Sequence, residues 1–157
     1  MYKSHLTLDD IYVSPLRPLG NGLYEVMNDA DLLAVPSPKT QCLLMDELAR
    51  ALMRSRRFRV DEVSRLVGVP SKKLSVCISV MFGCNLNELI EAYQQRLLLE
   101  LVRCTNLSPE DVARRAGYRS EKSMYNHFTR CVNDTFFAYR ERHQRRVRTV
   151  DDRFELV

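Results

Sequence analysis

Val112-Ala113-Arg114-Arg115-Ala116-Gly117-Tyr118-Arg119-Ser120-Glu121-Lys122-Ser123-Met124-Tyr125-Asn126-His127-Phe128 is the stretch that decides the fold. Val112, Ala113 and Ala116 give the apolar side of a short helix, Gly117-Tyr118 turns the chain, and Met124 and Phe128 begin the buried face of a second helix. Helix, glycine turn and helix make a helix-turn-helix. Ala113, a small residue four positions before the glycine, lets the two helices cross closely, and the glycine can take the positive φ of a tight turn. Tyr118, just after it, plugs the space between the helices.

The same grammar stands upstream. Val63 to Leu66 closes a short helix, Gly68-Val69-Pro70 turns the chain, and Leu74 and Ile78 start the next buried face, with Ser64 in the small-residue position. One such match is weak, because any packed helical hairpin with a glycine turn can resemble it; two at matched spacing are far more specific. Between them, Leu86, Leu89, Ile90, Tyr93, Leu97 and Leu101 recur at spacings of three and four, which predicts one helix over 86–104 with a face buried along its length. A helix of this length rises about 28 Å, near the roughly 34 to 36 Å between successive major-groove faces on one side of B-DNA.

Working outward, helices are predicted near 60–67, 71–82, 86–104, 109–116, 121–132 and 135–146, with strand-type alternation nowhere sustained. Ser37-Pro38 reads as the start of an earlier helix, a hydroxyl cap followed by proline, with Leu44, Leu48, Ala51 and Leu52 as its stripe and an end near Arg54, Arg56 and Arg57. Before it, Ser14-Pro15, Arg17-Pro18, Gly20-Asn21-Gly22 and Val35-Pro36 mark turns, with short strands around 24–27 and 32–35. The expected organisation is an irregular arm over 1–37, a tandem helix-turn-helix domain over 38–148 and a tail over 149–157. The fold class is all-α: two homeodomain-like helix-turn-helix subdomains joined by a long linker helix.

Composition agrees. Apolar residues are 45% and charged residues 28%, with five Gly and six Pro, which excludes collagen-like and disordered classes. No apolar run reaches membrane-spanning length and no leader pattern opens the chain, so a cytoplasmic location is expected, without membrane association. The five cysteines stand singly, without the paired spacing of zinc or redox motifs, and read as reduced thiols. His5, His127 and His143 lie far apart, so no metal is expected; nor is a cofactor or catalysis, since there is no Gly-rich phosphate loop, clustered acid and histidine, or nucleophile motif. Residues 41–148 hold 20 Lys/Arg against 12 Asp/Glu, residues 1–40 hold 3 against 5, and residues 149–157 hold 1 against 3. Positive charge thus concentrates on the predicted helices, as on a phosphate-neutralising surface or, equally, on a solvated basic face.

The stretch Thr105-Asn106-Leu107-Ser108-Pro109-Glu110-Asp111-Val112-Ala113, followed in register by Gly117-Tyr118, Phe128, Thr135 and Tyr139-Arg140, resembles the DNA-binding domain of the AraC/XylS family of bacterial transcription regulators. The resemblance covers about Phe58 to Arg140, or from Pro38 with the first helix. It implies sequence-specific transcription regulation through two recognition helices in adjacent major grooves of double-stranded DNA, with RNA polymerase as a candidate partner. Most members carry a separate ligand-sensing domain, which residues 1–37 are too few to build, so no small-molecule effector is expected within this chain. Asn133-Asp134-Thr135-Phe136 departs from the family's Gly-x-Thr-Pro, and Asn can take the left-handed geometry needed there.

The candidate DNA-facing residues are Lys72, Lys73 and Val76 in the first unit and Arg119, Lys122, Ser123, Asn126 and Arg130 in the second. Val76 falls where the family commonly has arginine, followed by Ser79 and Val80, so the first helix is expected to anchor the backbone through its lysines. The second offers arginine for guanine and asparagine for adenine, and is expected to carry specificity. Leu74, Ile78, Phe82, Met124, Phe128 and Tyr139 are expected in the core, and His127 half-buried. The run Arg140, Arg142, His143, Arg145, Arg146, Arg148 either extends the phosphate-binding face or is a solvated helix end. The alternative function is a degenerate helix-turn-helix module acting by protein contact, motivated by Val76, Ser79, Val80 and the acidic Glu121.

Overall fold

The computed structural model describes residues 5–144 of the 157. The described residues divide into two compact units, one made by residues 5–14 together with Ala30–Gln94, the other by Pro15–Asp29 together with residues 95–144. Both are built on helices, and the fold class is all-α with a helix-turn-helix in each unit.

In the first unit, α1 (Leu8–Ile11) opens with a capping box in which the Thr7 N–H donates to Asp10 Oδ2 at 2.7 Å. α2 (Asp29–Ala34) covers most of the 32–35 stretch, where a short strand was expected. A brief apolar run carries no decisive period, and here it is helical. α3 is Leu43–Arg54 with Cys42 at its N-cap, later than Ser37-Pro38 suggests. Ser37 Oγ instead accepts from Arg50 Nε at 3.1 Å, Thr40 commits its N–H and hydroxyl to Asp46 Oδ1 at 2.8 Å, and Gln41 between them has φ 68°. α4 (Val60–Val67) and α5 (Ser71–Phe82) follow. Ile11, Met45, Leu48, Val63, Leu74 and Ile78 are fully buried, joined by Leu86, Ile90 and Tyr93 from α6 (Leu86–Cys104).

The turn from α3 into α4 is organised by one carboxylate. Glu62 accepts from the backbone N–H groups of Arg56, Arg57 and Phe58 at 3.1, 3.1 and 3.2 Å, and from the Ser55 hydroxyl. This holds Phe58 at a left-handed φ of 54°, with its ring buried and stacked on Tyr93 at 5.9 Å.

The second unit contains the hairpin β1 (Leu16–Pro18) and β2 (Tyr24–Val26), antiparallel with Arg17 opposite Glu25. One of the two expected strands is therefore present, paired with a segment not assigned from sequence. α7 (Pro109–Arg115) and α8 (Glu121–Val132) form the helix-turn-helix, and residues 136–144 are helical (α9). Leu98, Leu101, Val102, Val112, Met124 and Phe128 are fully buried.

The two motifs share a register. Leu74 and Met124, Ile78 and Phe128, and Leu86 and Phe136 are all buried and stand fifty residues apart. Gly83 and Asn133, also fifty apart, both cap their helices in left-handed geometry, at φ 73° and 53°. The turn glycines Gly68 and Gly117, both at φ 82°, are forty-nine apart, so the second turn is one residue longer. Each turn closes the same way: Val69 N–H donates to Ser64 O at 3.3 Å, and Tyr118 N–H to Ala113 O at 2.8 Å.

Candidate nucleic-acid interface

α8 starts at Ser120, whose hydroxyl accepts the Ser123 N–H at 3.1 Å and so caps the helix. Its inward side is set by Met124 and Phe128, both fully buried. Phe128 packs against Phe136 at 5.9 Å and edge-on to Tyr139 at 5.2 Å. With that stripe held, Lys122, Ser123, Asn126, Thr129 and Arg130 are exposed, and Arg119 is exposed in the turn. The structure thus brings Lys122, Ser123, Asn126 and Arg130 to the outward side of one helix. Glu121 is exposed at its first turn and is the acid on that helix.

In α5, Leu74 and Ile78 are fully buried, leaving Lys72, Lys73, Val76, Ser79 and Val80 exposed. The cap residue is Pro70, which has no side-chain acceptor for the first N–H groups. α5 therefore presents lysines at its N-terminal end and aliphatic side chains beyond them. Phe82 and Tyr139 are only half-buried, not fully in the core as expected.

His127 is half-buried, as expected, and its Nδ1 is hydrogen-bonded to the Tyr118 hydroxyl, with ring centroids 5.5 Å apart. Burial pushes the Tyr118 phenol well above its usual range, with Cys131 adding to the rise and Arg130 opposing it, so the hydroxyl stays neutral. This clasp ties the turn to α8, nine residues apart in sequence. By its place in the sequence Tyr118 is only a plug between the helices; the signal for the clasp is a phenol next to the turn with a histidine on the following helix.

The basic run in α9 is engaged within the unit. Arg140 is half-buried, donates to the carbonyls of Val102 and Leu107 at 2.9 and 2.6 Å, and lies over the Phe136 ring at 4.6 Å. Arg142 is paired with Asp134. Arg145, Arg146 and Arg148 fall outside the described residues. Neither reading of this run describes Arg140, which is structural.

Among the described residues no group of His, Cys, Asp and Glu is arranged to hold a metal. Burial raises the thiols of Cys84, Cys104 and Cys131, aided at the first two by Glu88 and Glu100, which keeps them protonated. Among the same residues no single helix is long and apolar enough to cross a membrane.

What the fold defines is a tandem helix-turn-helix domain, the fold expected from the AraC/XylS resemblance. The chain is similar to the structure of the xylose-binding transcription activator xylR, with 21% identity and a TM-score of 0.53, over 62% of this chain and 26% of that one. It is also similar to the DNA-binding domain of AdpA, a global transcriptional factor solved in complex with a target DNA, with 21% identity and a TM-score of 0.56, over 66% of this chain and 94% of that one. The chain thus corresponds to about a quarter of xylR and to nearly all of the AdpA domain. No protein-family model and no curated protein sequence matches it.

Proposed function

We propose that this chain is a sequence-specific DNA-binding transcription regulator that lays α5 and α8 into adjacent major grooves. The observation that carries this reading is α8: a helix locked by buried Met124 and Phe128 that exposes Lys122, Ser123, Asn126 and Arg130 together. Asparagine can pair with the adenine edge and arginine with guanine, while ammonium and hydroxyl groups suit phosphates. Arg119 meets the backbone or a guanine from the turn. Lys72 and Lys73 anchor α5 to phosphates, and Val76 lies on the same DNA-facing side. The AdpA domain, of like fold, was solved on target DNA, which supports double-stranded DNA as the partner. RNA polymerase is a further proposed partner, with the protein acting in the cytoplasm without an enzymatic activity.

The test is selection from a random-sequence duplex library by electrophoretic binding at fixed salt. A bipartite site should emerge, with affinity falling steeply as salt rises. Failure of any sequence to be enriched at any salt overturns the reading.

A second reading, a protein-contact module, is favoured by the exposed Val76 and Val80. Lys72→Glu combined with Lys73→Glu separates the two: regulation in cells is lost on the DNA reading and survives on the protein reading.

A further inference from the structure

α5 departs from α8 in what it exposes. Val76 and Val80 are 65% and 67% exposed, opposite the buried Leu74 and Ile78. They stand at i and i+4, on one face of the helix and about 6 Å apart along its axis. In the shared register they occupy the places held by Asn126 and Arg130 in α8. Their exposed companions on α5 are Lys72, Lys73 and Ser79, and no carboxylate occurs anywhere in the helix.

A protein-docking face needs an apolar centre broader than two aliphatic side chains. Here two aliphatic side chains sit in a frame of ammonium and hydroxyl groups. One surface matches that frame: a major groove, with phosphates along its rim and the thymine C5 methyl as the apolar group on its floor. Neither valine can pair with a base edge through hydrogen bonds, and each can cover a methyl. We infer that Val76 and Val80 are specificity determinants that read the methyl groups of two thymines, about two base-pair steps apart, while Lys72 and Lys73 hold the flanking phosphates. This rests on α5 entering the groove as proposed above.

The experiment uses the full chain and the site selected from the library. Each thymine is replaced in turn by deoxyuridine, which removes the methyl and leaves every hydrogen-bonding group in place. Two positions should each lose about three- to fourfold in affinity at constant salt. One loss should vanish in Val76→Ala and the other in Val80→Ala, whereas Asn126→Ala retains both. The valines are exposed and alanine favours helix, so the variants keep the fold, which thermal unfolding verifies. Equal affinity for thymine and deoxyuridine at every position, or losses that persist in both valine variants, overturns the inference while the regulator reading stands. Valine variants that keep their affinity and methyl preference but lose regulation in cells overturn it too, and assign the face to a protein. If no site is enriched at all, the parent reading has failed, and this one with it, before any deoxyuridine probe is made.

Discussion

The Nη1 of Arg140 donates to the carbonyl oxygen of Leu107 at 2.6 Å, across 33 residues of sequence. Its Nε reaches Val102 O at 2.9 Å, and Gln144 Nε2 reaches Thr105 O at the same distance. Thr105 turns its own hydroxyl back to Leu101 O at 2.6 Å. Side chains thereby close carbonyls at the end of α6, at Leu101 and Val102, and just beyond it, at Thr105 and Leu107, and two of those side chains come from α9. Arg140→Met should destabilise the second unit by about 2–3 kcal/mol, measured by urea unfolding. Arg140→Lys should recover little, because an ammonium cannot reach carbonyls in a planar fork.

Glu62 gives the fold an acid-sensitive turn. Burial raises its carboxyl pKa, but hydrogen bonds from Ser55, Arg56, Arg57 and Phe58 outweigh that and hold it below the usual carboxylate range. A depressed folded pKa means that the unfolded chain binds more protons in the window between the two values. Its contribution is therefore complete above the unfolded value and is lost as pH falls through the folded one. Glu62→Gln should lower stability at neutral pH by about 1 kcal/mol. The gap to the parent protein should close as pH drops below the carboxylate range, as followed by denaturant midpoints across pH.

Among the described residues Ser64 Oγ is buried without a hydrogen-bond partner, while Ala113 holds the corresponding place in the second motif. Removing an unsatisfied hydroxyl and adding a stronger helix former act in the same direction. Ser64→Ala should raise thermal stability by about 0.5–1 kcal/mol, whereas Ala113→Ser should lower it.

Asn133 closes α8 at φ 53°, where Gly83 closes α5 at φ 73°. The departure from glycine is thus tolerated with the geometry intact, at some conformational cost. Asn133→Gly should stabilise by a few tenths to about 1 kcal/mol. A loss of stability on calorimetry would show that the Asn side chain contributes a contact of its own.

On the regulator reading, the exposed residues of α8 divide by role. Lys122→Ala should weaken binding about equally for all sequences and reduce the slope of log affinity against log salt by about 1. Asn126→Ala should instead relax preference at one base pair, costing about 1–3 kcal/mol on the selected site and little on a variant site. Titrations at several salt concentrations distinguish the two.

The helices over 60–67, 71–82, 86–104 and 121–132 could be bounded to the residue from the chain alone. Their apolar period and their stops at Gly68, Gly83 and Asn133 are properties of neighbours a few positions apart. The exposed face of α8 was legible for the same reason, since placing Met124 and Phe128 inward leaves Lys122, Asn126 and Arg130 outward. The start of α3 was not, because Ser37 is claimed by Arg50 and Thr40 by Asp46, contacts that no capping rule anticipates.

Arginine codes equally for a phosphate contact and for a buried fork. Periodicity and turn chemistry, read over one or two helical turns, suffice to name the motif and its outward side chains. Whether Arg140 meets solvent or seals a helix end, and whether His127 is idle or clasped by Tyr118, depends on partners brought close by packing. Those distances are set by the whole unit's burial of its core, and local order along the chain carries no record of them.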